Sequence, residues 1–334
     1  MIGLLLDFDQ RNLDERCKSI YARKSTVLSS SSTLERDPLS DVLEVLGAQV
    51  VRRTRMEAGG TWAFAFPAAN RLKFVAVLEG EQWMRTPNEP YCLMKKGDVC
   101  LLGRTSYVVA SDPELEPQDG TLLFPEGGTD VARVGFGDGV VAIGGSISFH
   151  DENGDFLLDM LPGFLRVGRE HSASGAIAAV LDLISNEILR GAIGTGIVAA
   201  RLADVLVVEA LRTLSDDRDR SLTGWLGAIS DPRLGRALRA VHRDVAAPWT
   251  VAALADIAGM SRAAFSAKFG QQVGRPPLAY LRYWRLTLAR TMLLRGAGPV
   301  DDVARSVGYT SQSAFGNAYR QVFATTPRSG SRAA

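Results

Sequence analysis

Apolar and polar residues follow two different rhythms along this chain. From Asp37 to about Ser148 the apolar or alternating runs are short: QVVRRTRM, TWAFAFP, LKFVAVLEG, QWMRT, YCLMKKGDVCLL, SYVVAS and VVAIGGSISF. Gly59-Gly60, Pro67, Gly80, Pro87, Pro90 and Gly97-Asp98 punctuate them. Many short strands at regular spacing predict a β-sandwich or barrel. A capped helix, DPLSDVLEVLG, precedes them and ends at Gly47. From about Ser172 the period lengthens. AIAAVLDLISNEIL and GIVAARLADVLVVEALRTL carry apolar residues at helical spacing, with a break over 191–196. Leu202, Val205, Leu206, Glu209 and Ala210 fall on or near one stripe, which predicts a helical pair that packs on the barrel or forms a dimer seam. SDDRDRSLTG then reads as a polar linker. The remainder reads as helical throughout, with helices predicted over 232–242, 251–258, 262–272, 278–294, 300–307 and 311–323.

One pattern occurs twice in that helical part, 49 residues apart. Ala255 precedes Gly259 by four positions, as Ala304 precedes Gly308. Met260 or Tyr309 follows, then a hydroxyl, Ser261 or Thr310. An aromatic pair spaced i, i+4 comes next: Phe265 and Phe269, then Phe315 and Tyr319. Gly274 or Ala324 and Pro277 or Pro327 close each copy. Helix, glycine turn and second helix make the helix-turn-helix plan, whose second helix enters the DNA major groove. The glycine tolerates the left-handed turn, and the alanine lets the two helices cross closely. Ser261 is placed to cap the next helix, as is Thr310 or Ser311 in the second copy.

The aromatic anchors decide which face is left for DNA. With Phe265 and Phe269 inside, Arg262, Ala263, Ser266 and Ala267 face outward. With Phe315, Tyr319 and Val322 inside, Gln312, Ser313, Gly316, Asn317 and Arg320 face outward. Gln and Asn pair with adenine and Arg with guanine, so Arg262, Gln312 and Asn317 are the expected base readers. Arg320, Lys268, Arg275 and Arg282 are expected on phosphates. Ordinary solvated helix faces are the alternative.

Charge sharpens this picture. The 334 residues carry a net charge of +1, but residues 222–334 hold 15 Lys+Arg against 5 Asp+Glu, and residues 1–221 hold 23 against 32. A basic segment attached to an acidic one suits a polyanion-binding domain coupled to something else. Hydrophobic residues make up 46%, as in a folded chain, and no apolar run reaches bilayer length. The N-terminus carries acids where a signal peptide carries bases, so a cytoplasmic location is expected. Three cysteines, Cys17, Cys92 and Cys100, argue against a disulfide framework. Residues 1–36, with the run SSSS, are expected to be poorly ordered.

These residues carry a resemblance. The segment 225–327 resembles the DNA-binding domain of AraC/XylS-type transcriptional regulators. The match lies in the paired motifs, in GRPPLAYLRYWRLTLARTMLL and in VARSVGYTSQSAF. It implies two helix-turn-helix subdomains joined by a long helix, inserting two recognition helices into successive major-groove segments on one DNA face. Upstream, LKFVAVLEG and LMKKGDVCLL are similar to the cupin-type sensor found at the N-terminus of many such regulators. GWLGAISDPRLGRALRAVH is similar to the entry of the cupin-bearing subgroup. Two departures stand out. SQSAFGNAYR is less basic than the family's second recognition helix, and the family's closing Tyr-Arg is replaced by Arg328-Ser329-Gly330. The second unit is therefore expected to contact DNA less tightly or to read it differently.

Cupins often hold a metal through His-x-His, a Glu and a later His. Here His150, His171 and His242 are scattered, and residues 1–149 contain none. No metal, no cofactor and no catalysis are expected. Trp62, Phe64, Phe66, Trp83, Tyr91 and Tyr107 are candidate lining for an effector pocket, with barrel core as the alternative. Arg71 and Lys73 are candidates for holding an anionic ligand. Cys92 and Cys100, across the Gly97-Asp98 turn, are either a redox pair or buried free thiols.

The expected fold is α+β and multidomain: a segment 1–36, a cupin-like β-barrel over 37–170, a helical dimerisation and transmission element over 171–221, and an all-α DNA-binding domain over 222–334 with units 250–272 and 300–323. The expected function is a sequence-specific transcriptional regulator whose barrel senses a small molecule. Its expected partners are double-stranded DNA, that effector, a second copy of the chain and RNA polymerase, with no membrane. The alternatives are a ligand-independent DNA-binding protein whose barrel is a protein-docking module, and a vestigial cupin enzyme fused to a DNA-binding tail.

Overall fold

A computed structural model describes residues 37–126, 130–136, 139–149, 154–168, 174–216 and 224–330. The expectation for residues 1–36, and those for Cys17, His150 and His171, lie outside the described residues. The first described element is helix α1, Pro38–Leu46. Its start and stop are set by single residues. The Asp37 carboxylate accepts the Ser40 N–H at 2.9 Å, and Gly47 closes the helix with φ of 59°.

Eleven described strands follow: β1 Gln49–Ala58, β2 Ala63–Phe66, β3 Leu72–Glu79, β4 Glu81–Thr86, β5 Glu89–Lys95, β6 Val99–Leu102, β7 Tyr107–Ala110, β8 Gln118–Asp119, β9 Val131–Val134, β10 Val140–Ser148 and β11 Phe164–Val167. They form two sheets, of order β11-β6-β3-β10-β1-β9 and β5-β4-β7-β2-β8. The β1–β9 and β2–β8 pairs are parallel and the others antiparallel. The predicted barrel is thus an open two-sheet sandwich. Strands β8, β9 and β11 and a short helix α2, Asp155–Leu158, have no counterpart among the predicted elements. Each is four residues or fewer, too short for a period to show.

Strand β3 is buried on both faces. Leu72, Phe74, Ala76 and Leu78 join the core that the sheet shares with the helices. Val75 and Val77 join the core between the sheets. Helices α3, Ser174–Arg190, and α4, Thr195–Asp216, pack on the outer face of the six-stranded sheet. Leu206, Val207, Ala210 and Leu211 lie inside that contact. Val205, expected on the same stripe, is instead 44% exposed. One side-chain bond pins the arrangement: Asp204 Oδ1 accepts the Val50 N–H at 2.8 Å.

The rest is helical: α5 Trp225–Ser230, α6 Leu234–Arg243, α7 Val251–Ala258, α8 Arg262–Val273, α9 Pro277–Leu294, α10 Val300–Ser306, α11 Gln312–Phe323 and α12 Pro327–Gly330. The helix expected over 232–242 starts two residues late. Asp231 ends α5 in an extended conformation, and its carboxylate takes the N–H groups of Arg233 and Leu234, each at 2.9 Å. In the second unit Ser311, not Thr310, caps the recognition helix by accepting the Ala314 N–H. From the turn glycine to the cap this stretch is one residue longer than in the first unit, where Ser261 accepts the Ala264 N–H.

The core is divided unevenly. One continuous apolar cluster runs from the outer face of the six-stranded sheet through α3 and α4 into the first helix-turn-helix unit, and ends at Tyr280, Leu281 and Trp284 of α9. The second unit has a cluster of its own, built from Leu286, Ala289 and Leu293 of α9 with Val303, Ala304, Phe315 and Tyr319.

The two recognition helices end alike in backbone but not in residue. Gly274 has φ of 75° and Ala324 φ of 55°, the latter the only positive φ among described non-glycine residues. A Cβ at Gly274 would meet no atom within 4 Å, so the backbone conformation alone decides its effect. Ala324→Gly is therefore expected to stabilise the second unit by about 1 kcal/mol, and Gly274→Ala to cost the first a similar amount. Urea unfolding of the full chain, with hydrogen exchange of each unit as the readout, checks both signs.

Candidate functional site

The two recognition helices are held by the aromatic pairs in their cores. Phe265 and Phe269 lie 5.5 Å apart and Phe315 and Tyr319 5.7 Å apart, centroid to centroid, and all four are buried. Arg262, Ala263 and Ala267 are exposed and Ser266 half-buried on α8. Gln312, Ser313, Asn317 and Arg320 are exposed on α11, with Gly316 half-buried between them. Arg320 donates to Asn317 Oδ1 at 2.6 Å. The other three cations expected on phosphates are, like Arg320, engaged within the protein. Lys268 pairs with Asp231, and Arg282 donates to Gln321. Arg275 lies 2.6 Å from Asp159 and over the Tyr283 ring at 4.4 Å.

Arg285 fixes one unit against the other. From α9 it donates to the carbonyls of Val245 (2.8 Å) and Ala247 (2.7 Å). Gly308, at the turn of the second unit, lies against the same loop, where a Cβ would fall 2.7 Å from the Ala246 oxygen. Only glycine permits that approach, and its φ of 85° also favours glycine.

A polar chain crosses from the β-sandwich side into the DNA-binding side. Trp225 Nε1 donates to the Tyr280 hydroxyl at 3.0 Å, and that hydroxyl lies 2.7 Å from His242 Nε2. A hydroxyl that accepts from Trp225 has its own proton to give to Nε2, which leaves the proton of His242 on Nδ1. Nδ1 faces Asp41 of α1, whose Oδ2 is 3.5 Å away. Alongside, Thr291 donates to the Val45 carbonyl at 3.2 Å. Phe156 of α2 packs among Tyr280, Tyr283 and Trp284 with centroids 5.1 to 5.8 Å away. Arg104 of the sandwich binds Asp155 and, at 2.5 Å, Asp159, the carboxylate that also holds Arg275.

Between the sheets opens a cavity of about 640 Å³. Its apolar wall includes Met56, Phe66, Val75, Tyr107 and Val109, and its polar lining includes Arg52, Arg71, Lys73 and Gln82. Of the six aromatic residues expected to line an effector pocket, Phe66 and Tyr107 do so, stacked on each other at 4.9 Å. Trp62 and Phe64 are buried elsewhere in the inter-sheet core, stacked on each other at 6.0 Å. Tyr91 lies in a separate depression under Arg85, whose guanidinium sits 5.0 Å from its ring centre. Trp83 alternates with Gln82 and Met84 and so lies on the opposite face of β4. Lys73 is half-buried, and burial, reinforced by Arg71, lowers its pKa.

A cupin family profile matches residues 37–216, and a helix-turn-helix domain profile matches residues 254–332. Two relatives, from Streptomyces lividans and Streptomyces antibioticus, each named a putative AraC-like transcription regulator, are 37% identical over 294 residues. The alignments cover 87% of this chain and 96% and 97% of theirs. Unsaturated-fatty-acid-bound ToxT from Vibrio cholerae aligns with 84% of this chain and 93% of its own, at 12% identity and a TM-score of 0.34. The chain belongs to the AraC-like transcription regulators. It is a DNA-binding regulator of this AraC type, with a cupin domain at its N-terminal side.

In this AraC-like protein the aromatic residues of the sandwich draw attention to the wrong face of β4. The useful signal in EQWMRT is the alternation, which sets Gln82 with Met84 and Thr86, all buried. Cys100 is buried and donates to Met94 Sδ at 3.5 Å, and burial pushes its thiol well above the usual range. No helix among the described residues is long and apolar enough to cross a membrane.

His242 makes the junction of the AraC-like regulator sensitive to acid. Burial, the largest cause, lowers its pKa; Asp41, and more weakly Asp37, oppose the shift. The folded chain therefore holds His242 neutral where the unfolded chain, with a pKa of about 6.5, begins to protonate it. Stability is full above that value and falls as pH drops toward the folded pKa. The thermal midpoint is expected to fall between pH 7 and pH 5 by more in the native chain than in His242→Gln, as calorimetry at matched ionic strength would show.

Proposed function

We propose that this regulator reads its operator with both recognition helices and that a small molecule held between its two sheets biases how they are presented. The observation that carries the reading is the continuity of the core. The sheet that walls the cavity is packed, through its outer face, into the same apolar cluster as the first helix-turn-helix unit. A ligand that favours one packing of the sandwich would shift the population of DNA-competent geometry. Asp41, Asp155 and Asp159 supply polar contacts along the same route.

On this reading Arg262, Gln312 and Asn317 contact base edges, with Ala263, Ser266, Ala267, Ser313 and Gly316 lining the approach to the groove. Lys268, Arg275, Arg282 and Arg320 serve phosphates once their present partners release them. Segment 37–170 is the sensor, 171–221 the transmission element and 222–334 the DNA-binding domain. Leu183, Leu189, Ile193, Ile197 and Val198 leave an exposed apolar face on α3, α4 and their connection. That face supports self-association into a homodimer, and it equally favours the second reading, a docking surface for another protein.

Binding of the full chain to the DNA beside its own gene, titrated against random competitor at physiological salt, tests the reading. A competitor-resistant footprint supports it. On that footprint Gln312→Ala is expected to cost about 1–3 kcal/mol, with little loss on random DNA. Asp159→Asn should free Arg275 for a phosphate and steepen the salt dependence of binding by about one unit of log–log slope. Equal losses on both DNAs for Gln312→Ala would remove the base-reading role. An unchanged slope for Asp159→Asn would remove the proposed latch.

A further inference from the structure

The cavity between the sheets holds one side chain that apolar packing does not explain. Gln82 is 1% exposed, and among the described residues neither of its amide atoms has a hydrogen-bond partner. Its neighbours along the inward face of β4 and β5, Met84 and Met94, are fully buried and apolar. A glutamine among methionines leaves a donor and an acceptor stranded, which costs stability unless something satisfies both. Gln82 lines the cavity, so the amide is accessible from it.

The charged lining is asymmetric. Arg52 is already engaged, donating to the carbonyls of Phe124 (2.9 Å) and Pro125 (3.1 Å) and to Asp130. Among the described residues Lys73 has only the Pro67 carbonyl, at 3.4 Å, and the face of Tyr107, 5.4 Å from its ring centre. Glu126 also lines the cavity, but no ion pair joins it to Lys73. A half-buried ammonium beside Arg71 favours an anion, and an anion would restore the charge that burial disfavours. Between Lys73 and Gln82 the wall is apolar and aromatic, as in ligand pockets generally.

We infer that the cavity takes an amphipathic organic acid bearing a second, amide-like group. Its carboxylate meets Lys73, its apolar body lies along Phe66, Tyr107 and Val109, and a carboxamide, lactam or imide pairs both ways with the Gln82 amide. The inference rests on the sensor reading and names the chemical class that sensor would take.

The test uses the full-length protein, isothermal titration and three matched probe sets. The first set is the monoamides of the linear diacids from succinic to suberic, with 4-carbamoylbenzoate, so that the reach between the two polar ends is scanned. The second replaces the amide with a methyl ester, which accepts but does not donate. The third replaces the acid with a second amide. In the native protein at least one amido acid should bind about tenfold more tightly than its ester and its diamide, the equivalent of roughly one well-made hydrogen bond or ion contact. Gln82→Leu should erase the amide-over-ester preference, and Lys73→Met the acid-over-diamide preference. Without probe, Gln82→Leu should melt at or above the native temperature, because it removes an unsatisfied amide. A lower melting temperature would mean that the amide has a protein partner and would overturn the inference. So would equal binding of amide and ester, or no saturable binding of any amido acid at millimolar concentration. The same titrations read on operator DNA separate the two readings. Amido acids that bind as expected but leave operator affinity unchanged would sink the sensor reading alone. Diamides that bind and shift operator affinity, where amido acids do not, would sink the inference alone.

Discussion

Burial of the six-stranded sheet on both faces is the constraint on which the rest of the molecule depends. A strand with two buried faces has no solvent side, so each residue along β3 commits either to the helical layer or to the space between the sheets. Phe74 and Leu78 take the helical side, and Val75 and Val77 the other. Lys73 shares the parity of Val75, so the pleat turns a charge toward the cavity rather than into water. The same rule on the facing sheet turns Gln82 inward with Met84. Lys73 and Gln82 thus owe their place in the cavity to strand register, and a one-residue slip in either strand would remove them.

The other face of that sheet joins the sandwich to the first helix-turn-helix unit. The apolar cluster passes from strand to helix to the first helix-turn-helix unit without interruption. Against this non-directional contact, the polar chain Trp225–Tyr280–His242–Asp41 adds direction. Each member is buried, and the hydroxyl of Tyr280 is satisfied only while α5, α6 and α9 keep their places. Burial alone would let the two halves slide; the hydrogen bonds that cross between them, Thr291 to the Val45 carbonyl and Arg275 to Asp159, restrict them to a few discrete arrangements. That is the property a switch needs, since packed interfaces are bistable rather than continuously deformable.

Most of the helical half is legible in the sequence, because its signals are local. Caps, glycine turns and i, i+4 aromatic pairs act over a few residues, and the tandem copy checks each against the other. Where the copies differ, the local rule still holds: the extra residue of the second turn moves the cap to Ser311. The sandwich is less legible. The existence of its strands follows from alternation, but β8, β9 and β11 are held by partners distant in sequence, such as Val131 beside Arg55 and Phe164 beside Leu102. The cavity is harder still. Aromatic character selects Trp62, Phe64 and Trp83, yet two of these fill core and one lies on the far face of its strand. What lines a cavity is decided by where packing stops, and that is a property of two sheets together. The engaged arginines belong to the same class: Arg275 looks solvent-directed in sequence because Asp159, its partner, is 116 residues away.

The division of the core bears on how a signal from the sandwich reaches DNA. The first unit shares its cluster with the sandwich, and the second does not. Among the described residues the only element common to both clusters is α9, whose first half holds Tyr280 and Trp284 and whose second half holds Leu286, Ala289 and Leu293. Its 18 residues span about 27 Å as a continuous helix, of the order of one DNA turn. Arg285, near its middle, clamps the loop at 245–247 against the turn of the second unit. With helix and clamp both rigid, the separation of the two recognition helices is set inside the DNA-binding half. A change in the sandwich therefore has little leverage on that spacing. Its leverage lies where its own residues touch the other half, at Asp41, Phe156 and Asp159. The physical consequence is that regulation would act by presenting or withholding the pair as a block, through release of contacts such as Arg275–Asp159, and not by stretching one unit away from the other.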